Sequence, residues 1–337
     1  MPQIAFDDRS FAVESGETVL DALLRQGVDA SYSCKSGACQ SCLMRVEEGV
    51  PPQASQAGLK ASLKSRGYFL PCICKPTEDL TVTRPDGEAD AQPVDARVLA
   101  VEPLSHDVAR VYLRAGQDFD YRAGQFVNVM RSDGLVRSYS LANLPTTEGH
   151  LELHVRRIPN GRMSNWFHND VKPGDTVQVR GPAGDCFYLP DYREQDLLMV
   201  GTGTGLAPLV GILRDALRHD HQGHIHLYHG ALDPAGLYLV DELTQLAADH
   251  PQHVTYTRCV MRCDDMADPA LACPTDNCRV AVGAIDQVIF DHHPKLTGCR
   301  AYLCGNPGLV FTLRKKVFLA GAGMKDIHSD AFIMAKP

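Results

Sequence analysis

The sequence predicts a multidomain α+β protein, and three observations support this fold class. The chain of 337 residues exceeds one ordinary core, so two or three domains are expected. Its pattern changes twice, from a small mixed region to a run of strands and then to strands alternating with helices. A content of 44% hydrophobic and 22% charged residues is typical of globular domains. We predict domains at 1–85, 94–192 and 193–337, with a linker at 86–93.

The first region predicts a small α+β domain. Strands are expected at 3–6 and 10–13, and a helix opens at Thr18. The alternating stretch 79–83 would close the sheet. The polar, Pro- and Gly-containing stretch that follows predicts the interdomain linker.

The second and third regions differ in rhythm. Between residues 94 and 190, short β-type runs separated by Gly and Pro predict an antiparallel barrel with one helix near Arg162. From Asp196 onward, alternation predicts a parallel sheet with helical crossovers. The predicted strands are 96–101, 109–113, 126–130, 151–158, 176–179, 197–200, 225–229, 254–259 and 301–303, and the later helices are 206–219, 241–249 and 307–320.

Four cysteines carry the clearest chemical signal. Cys34, Cys39, Cys42 and Cys72 have the C-x4-C-x2-C spacing and distant fourth Cys of plant-type 2Fe-2S centres. Small residues and Gly37 between the first ligands let a short loop surround an inorganic core. Zinc sites favour two ligand pairs, so the pattern predicts a one-electron iron-sulfur carrier.

The fourth ligand has two candidates. Cys72 and Cys74 both follow the apolar residues 68–70 and lie one strand period apart. The 29 residues between Cys42 and Cys72 match the plant-type gap, so Cys72 is the predicted ligand and Cys74 its neighbour or a spare.

Two further segments suggest nucleotide chemistry. Gly201-Thr202-Gly203-Thr204-Gly205 joins a predicted strand to a helix, where backbone N–H groups and the helix dipole favour phosphate. The pattern is G-x-G-x-G because residue 206 is Leu, and a plain tight turn is the alternative. In the barrel region, Arg137-Ser138-Tyr139-Ser140 offers a cation for a diphosphate, a ring for stacking and a hydroxyl for a ring nitrogen, and surface strand residues without a ligand are the alternative.

Taken together and in order, the motifs resemble the ferredoxin-NADP reductase superfamily. With the cysteine domain first, nearly the whole chain resembles the reductase components of bacterial multicomponent ring-hydroxylating oxygenases. That resemblance implies a β-grasp 2Fe-2S ferredoxin domain, an antiparallel β-barrel FAD domain and an α/β parallel-sheet NAD domain. The matching segments are Arg137-Ser138-Tyr139-Ser140, His154-Val155-Arg156-Arg157, Gly161-Arg162-Met163-Ser164, Gly201-Thr202-Gly203-Thr204-Gly205 and Cys304-Gly305-Asn306-Pro307.

The resemblance also implies residue roles. The first three segments, apart from Arg157, would bind FAD, with Gly161, Met163 and Ser164 at its diphosphate. Phe332 would lie near the flavin, with a place in the core as the alternative. Gly201 to Gly205 would take the nucleotide diphosphate, and Cys304-Gly305-Asn306-Pro307 would flank the nicotinamide. The expected catalytic pair is Ser140, supporting the flavin nitrogen, and Cys304. Gln40 departs from the usual Gly of the cluster loop.

The implied function is an NADH:acceptor oxidoreductase. Hydride would pass from NADH to FAD, and single electrons would pass through the 2Fe-2S cluster to a terminal oxygenase or hydroxylase. Alternatives are another acceptor, such as a sugar dehydrase, and a redox sensor without turnover. NADH is preferred over NADPH because residues 219–257 contain no Lys or Arg for a 2′-phosphate, and Leu232 stands where many relatives carry Arg. Arg258 and Arg262 could overturn that preference.

Composition narrows the remaining classes. The start of the chain does not resemble a signal peptide, which favours a cytoplasmic protein whose twelve cysteines are ligands and free thiols. A net charge of −8 argues against nucleic acid, no apolar run suggests a membrane span, and a monomer is expected. Cys259, Cys263, Cys273 and Cys278 are interpreted as a surface insertion, with zinc as the alternative. His219, His221, His224, His226 and His229 are assigned to a helix terminus and a strand.

Overall fold

The computed structural model describes residues 2–30, 35, 37, 42–57, 59, 61–84, 93–116, 119–145, 149–265 and 268–332. The chain divides into two compact units, Met1–Ala91 and Gln92–Pro337. The predicted ligands Cys34 and Cys39, Gln40, and the predicted linker apart from Pro93 lie outside the described residues. The predicted domain boundaries therefore stay predictions.

The first unit contains a five-stranded mixed sheet in the order β2-β1-β5-β3-β4. Helix α1 begins where the sequence predicts, because the Thr18 hydroxyl accepts a hydrogen bond from the Asp21 backbone N–H at 3.2 Å. The helices and strands of the first unit are β1 (Gln3–Phe6), β2 (Arg9–Ala12), α1 (Val19–Arg25), β3 (Met44–Glu48), α2 (Ala61–Ser65), β4 (Tyr68–Phe69) and β5 (Leu80–Thr83).

The second unit begins with an antiparallel sheet in the order β10-β7-β6-β11-β8-β9. An antiparallel bridge between Leu141 and Leu153 joins the two ends of that order and closes the barrel. The elements are β6 (Val94–Pro103), β7 (Val108–Ala115), β8 (Phe126–Met130), β9 (Val136–Ser140), β10 (His150–Arg156), α3 (Arg162–Asn169) and β11 (Thr176–Ala183).

A parallel sheet in the order β15-β14-β13-β12-β16-β17 completes the second unit. The order reverses beside β12, and ligands of such sheets bind at the carboxyl ends of the strands near that point. The elements are β12 (Leu197–Thr202), α4 (Leu206–Arg218), β13 (Ile225–Ala231), α5 (Val240–Asp249), β14 (Val254–Val260), β15 (Cys278–Val282), α6 (Ile285–His292), β16 (Arg300–Gly305), α7 (Pro307–Leu319) and β17 (Ile327–Ala331).

The structure confirms the predicted fold class and corrects two local interpretations. Cys278 does not lie in an irregular insertion but begins β15, which pairs with β14. A five-residue strand at the edge of a sheet is too short for its sequence pattern to reveal this pairing. Cys72 and Cys74 do not alternate along a strand, because Pro71–Ile73 forms a 3₁₀ turn. Among the helices that the structure describes, none is long and apolar enough to cross a bilayer.

Candidate functional site

Strand β9 carries the predicted flavin-binding residues. The Ser138 hydroxyl donates to Asn128 Oδ1 on β8 at 2.6 Å, and the Tyr139 ring packs edge-on against Phe167 of α3, 5.7 Å between centroids. Burial raises the pKa of Tyr139 well above its usual range, so the phenol stays protonated. Arg137 is half-buried and donates to the Val136 carbonyl at 2.7 Å.

The amino end of α3 is shaped for an anion. Gly161 occupies the cap position, so no side chain caps the first-turn amides. A Cβ on Gly161 would stand 2.5 Å from Ser164 Oγ, while the Ser164 hydroxyl accepts from the Ile158 N–H at 3.1 Å. Arg162 is exposed and pairs with Asp133, and Met163 is buried in the barrel core. This end therefore fits a diphosphate.

The three residues of β10 that are predicted to bind FAD, namely His154, Val155 and Arg156, have different surroundings. Both imidazole nitrogens of buried His154 are engaged, Nε2 with Glu152 Oε1 at 3.0 Å and Nδ1 with the Tyr238 hydroxyl at 3.1 Å. Val155 is fully buried in the barrel core. Arg156 is exposed and donates from Nε to Asp107 Oδ2 at 2.7 Å. The imidazole of His154 thus has no ring nitrogen left for a flavin.

Buried Glu152 is the centre of an ion-pair cluster between the barrel and the α/β half of the second unit. It lies 3.2 Å from Arg110 and 3.6 Å from Arg214, and both arginines also reach Glu242 of α5. Burial raises the pKa of Glu152, but the His154 hydrogen bond and the two arginines bring it below its ordinary value. These contacts fix the orientation of the two halves.

The glycine-rich segment meets its neighbours by backbone contact. Gly203–Gly205 is a 3₁₀ turn leading into α4, and Gly203 has φ +54°. A Cβ on Gly205 would stand 2.4 Å from the Cys304 carbonyl oxygen, and one on Gly203 would stand 3.3 Å from Arg156 Nη1. Position 205 therefore has no room for a side chain, and position 203 has the positive φ that favours glycine, which suits close approach of a phosphate to the amides.

Ser140 and Cys304, on different sheets, are connected through Asp330. The Ser140 hydroxyl donates to Asp330 Oδ2 at 3.1 Å, and Asp330 pairs in register with Cys304 across β16 and β17. The Cys304 thiol lies 3.8 Å from the Cys186 thiol, which comes from the segment after the barrel. Burial raises the pKa of Asp330, and the Ser140 hydroxyl offsets part of that rise.

Sequence reasoning assigned no role to Asp330 or Cys186. The sequence signal that could have indicated a role for Asp330 is its position two residues before Phe332, which is predicted to lie near the flavin. Phe332 itself is half-buried and donates its N–H to the Gly305 carbonyl at 2.9 Å. Asn306 caps α7, since its Oδ1 accepts from the Leu309 N–H at 3.2 Å, and Pro307 is the first residue of that helix.

In the first unit, Cys42 and Cys72 lie close enough that the backbone and the thiol of Cys72 both affect the pKa of the Cys42 thiol. Burial is the main reason that the pKa of Cys42 is raised to about 11. Cys74 is fully buried, which raises the pKa of its thiol to about 11, and the neighbouring Ser55 side chain offsets part of that rise. Ile73 fills the space beside Gly37, where a Cβ would stand 2.8 Å from Ile73 Cδ1. A thiol pair with a backbone donor fits a cluster edge.

The two arginines that could favour NADPH are placed differently. Arg258 is fully buried and donates to the carbonyl oxygens of Ala270 and Ala272, so its guanidinium is not accessible to a 2′-phosphate. Arg262 is exposed and pairs with Asp233 at 3.5 Å.

Comparison with known proteins agrees with this architecture. Family models match a 2Fe-2S iron-sulfur cluster binding domain at 4–77, an oxidoreductase FAD-binding domain at 95–188 and an oxidoreductase NAD-binding domain at 199–315. The chain therefore belongs to the iron-sulfur flavoprotein reductases, in which a plant-type ferredoxin domain precedes an FAD- and NAD-binding module.

Individual relatives cover nearly the whole chain. The reductase component of a naphthalene 1,2-dioxygenase system from Pseudomonas putida is 32% identical over 97% of this chain and 96% of its own. The reductase subunit of an aromatic O-demethylase from Amycolatopsis is 33% identical over 98% of each. The crystal structure of an Amycolatopsis cytochrome P450 reductase has a TM-score of 0.64 at 29% identity, covering 98% of this chain and 99% of that one.

The predicted cofactors and reaction class are thereby confirmed. The protein is an oxidoreductase with binding domains for FAD, a 2Fe-2S cluster and a pyridine nucleotide, and it transfers electrons between the nucleotide and an acceptor. The roles of individual residues stay predictions.

Proposed function

We propose that this protein oxidises NADH and delivers single electrons through its cluster to a terminal oxygenase or hydroxylase. The observation that carries the proposal is the hydrogen bond from Ser140 to Asp330, which brings the predicted flavin strand next to predicted nicotinamide residue Cys304. FAD supplies, when bound, the conversion between a two-electron donor and one-electron acceptors. The acceptor class rests on the names of the relatives, which serve a dioxygenase and an O-demethylase.

The chain's own groups would position the flavin and the cluster and would exclude water from the flavin site. Tyr139 and Arg137 of β9 would hold the flavin ring and diphosphate, with the open amino end of α3 as a second anion site. Asp330 Oδ2 would accept the Ser140 hydroxyl hydrogen bond and so fix the orientation of that hydroxyl, in a site where burial raises the pKa of Asp330. Cys304 and Cys186 form an apolar, buried floor that would exclude water. Cys42 and Cys72 would be cluster ligands together with Cys34 and Cys39.

We base the proposed preference for NADH on the residues that follow the carboxyl end of β13. Asp233 follows that strand and would accept a hydrogen bond from the ribose 2′-hydroxyl, whereas its charge would repel a 2′-phosphate. Its neighbour Leu232 is 64% exposed and offers no cation, and the exposed Arg262 beside them is paired with the Asp233 carboxylate at 3.5 Å, which offsets its charge.

An anaerobic titration tests the electron path. Adding NADH to the purified protein should bleach the flavin and cluster absorption bands together, and the reduced protein should support turnover of an added terminal oxygenase. Reduction of FAD without the cluster would contradict the path. Failure to transfer electrons rapidly to cytochrome c would favour the redox-sensor alternative.

The nucleotide preference has its own test. The kcat/KM for NADH should exceed that for NADPH by about 100-fold or more. The double variant Leu232→Arg with Asp233→Ser should reduce this ratio, whereas Asp264→Ser, in the neighbouring segment after β14, should leave it unchanged. Equal kcat/KM values in the unaltered protein would refute the assignment.

A further inference from the structure

Two cysteines outside the flavin and nucleotide motifs share one partner. Cys273 is exposed in the turn before β15, and Cys278 is buried at the start of that strand. Nη2 of Arg258 donates to Cys273 Sγ at 3.1 Å and to Cys278 Sγ at 3.0 Å. The two thiols are also close enough to each other that Cys278 contributes to the raised pKa of Cys273. Both sulfurs therefore lie within one hydrogen-bond length of the same nitrogen.

Arg258 makes this pair chemically unusual. Its side chain is fully buried, and its other acceptors are the carbonyl oxygens of Ala270 and Ala272. None of the four hydrogen-bond acceptors that the structure describes for Arg258 is a carboxylate, so a thiolate at this site would face the buried cation directly. A guanidinium between two thiols stabilises the thiolate that thiol-disulfide exchange requires.

We propose that Cys273 and Cys278 form a reversible disulfide by exchange with a low-molecular-weight disulfide such as oxidised glutathione. The Cys273 thiolate attacks one sulfur of the small disulfide, forming a mixed disulfide and releasing one glutathione thiolate. The Cys278 thiolate then attacks Cys273 Sγ and releases the second. Two protein thiols are oxidised, one small disulfide is reduced to two thiols, and the two protons go to solvent or the released thiolates.

The reaction is expected to be slow at neutral pH. Burial and the neighbouring Cys278 raise the pKa of Cys273, and Arg258 counteracts them only in part. Only a small fraction of the exposed thiol is then the nucleophilic thiolate.

Closing the disulfide would displace residues beside the nucleotide site. It would draw the two sulfurs to about 2 Å from each other and weaken their contacts with Arg258. Arg258 also holds Ala270 and Ala272, and Leu271 between them packs on Leu237 and Val260. The 3₁₀ turn Pro234–Gly236 comes directly after Asp233, and Leu237 is the residue that follows this turn. A shift of this layer would move the segment proposed to contact the ribose.

The chemical test uses the complete holoprotein. It is incubated anaerobically with oxidised glutathione, alkylated, cut with trypsin and analysed by mass spectrometry. Cleavage after Arg262 and Arg279 gives one peptide carrying Cys263, Cys273 and Cys278. We expect this peptide to lose two hydrogens, to carry one alkyl group on Cys263, and to give no backbone fragments between Cys273 and Cys278.

Matched variants make the result decisive. Cys263→Ser should still form the closed loop, because Cys263 bonds to the Asp265 carbonyl and not to Arg258. Cys273→Ser should abolish it. A disulfide from Cys263 to Cys273, a mixed disulfide that persists on Cys273, or complete alkylation of all three cysteines would each overturn the proposal.

A kinetic measurement tests the coupling independently of the electron acceptor. With the loop fully formed, KM for NADH in flavin reduction should rise about threefold with kcat unchanged. Dithiothreitol should reverse the change, and Cys273→Ser should not show it. An unchanged KM with the disulfide formed would refute the coupling while leaving the proposed NADH oxidation intact.

Discussion

The two units of this protein hold their redox groups by different physical means. In the first unit, cysteine side chains are the expected ligands, and Cys42 and Cys72 already lie in contact. In the second, glycine-rich backbone, an open helix end and buried neutral groups form the site. A side-chain ligand is lost by one substitution, whereas a backbone site is damaged mainly by adding atoms. The units should therefore respond to mutation in opposite ways.

The largest effect is expected at the cluster. Cys72→Ser should remove acid-labile sulfide and cluster absorption, and should lower electron delivery to an acceptor by about 100-fold, while NADH still reduces FAD. Cys74→Ser is the matched control, since Cys74 is fully buried and the side chain that affects the pKa of its thiol is Ser55, not Cys42. Loss of the cluster in Cys74→Ser with retention in Cys72→Ser would reverse the ligand assignment.

Adding one methyl group to the nucleotide loop should rank second. In Gly205→Ala the new Cβ would stand 2.4 Å from the Cys304 carbonyl oxygen, so the backbone must move. Stopped-flow flavin reduction should show kcat/KM for NADH lowered by roughly 10- to 100-fold, with FAD and iron contents unchanged. Gly308→Ala, whose Cβ would meet its nearest atom at 3.4 Å, should behave like the parent protein.

Removing the charge at Asp330 should have a smaller effect. Asp330→Asn keeps the shape but loses the carboxyl group that bonds Ser140, and we expect flavin reduction by NADH to slow by about tenfold. Any dependence of that rate on pH through the raised pKa of Asp330 should vanish in the variant. Replacing exposed Asp291 of α6 by Asn is the control. An unchanged rate and pH profile in Asp330→Asn would exclude a role for this carboxyl group.

The smallest effect concerns the stability of the second unit. His226 packs between His224 and His293 at tilted angles, with ring centroids 4.4 and 4.3 Å away. Burial, followed by His293, His224, Arg279 and His292, lowers the pKa of His226 to about 3. Between that value and the ordinary histidine pKa, the unfolded chain binds more protons than the folded one. The free energy of unfolding should therefore fall on acidification through this window, by on the order of 2 kcal/mol.

Urea unfolding at pH 4.5 and pH 7 measures this dependence. His226→Gln should flatten it, whereas His106→Gln, whose side chain is 64% exposed, should not. An identical pH dependence in His226→Gln and the unaltered protein would show that other groups control acid stability.

Local patterns were sufficient where one element carries the signal. Thr18 and Asp21 define the start of α1 within one turn, and the run 126–130 coincides with β8 because alternation with a turn on each side specifies a strand. The cluster spacing and the glycine loop are equally local, so these motifs and their order are enough to indicate the family.

The sequence alone therefore determined the cofactors, the three kinds of fold and the order of the motifs. Tertiary structure decided the neighbours: Asp330 between Ser140 and Cys304, Tyr238 on His154, and Arg258 buried among Cys273 and Cys278 instead of facing solvent. The physical reason is that spacing along a chain limits which residues share an element. Contacts between residues of different elements depend on how sheets, helices and loops pack, whether the residues are 15 positions apart, like Arg258 and Cys273, or 190, like Ser140 and Asp330.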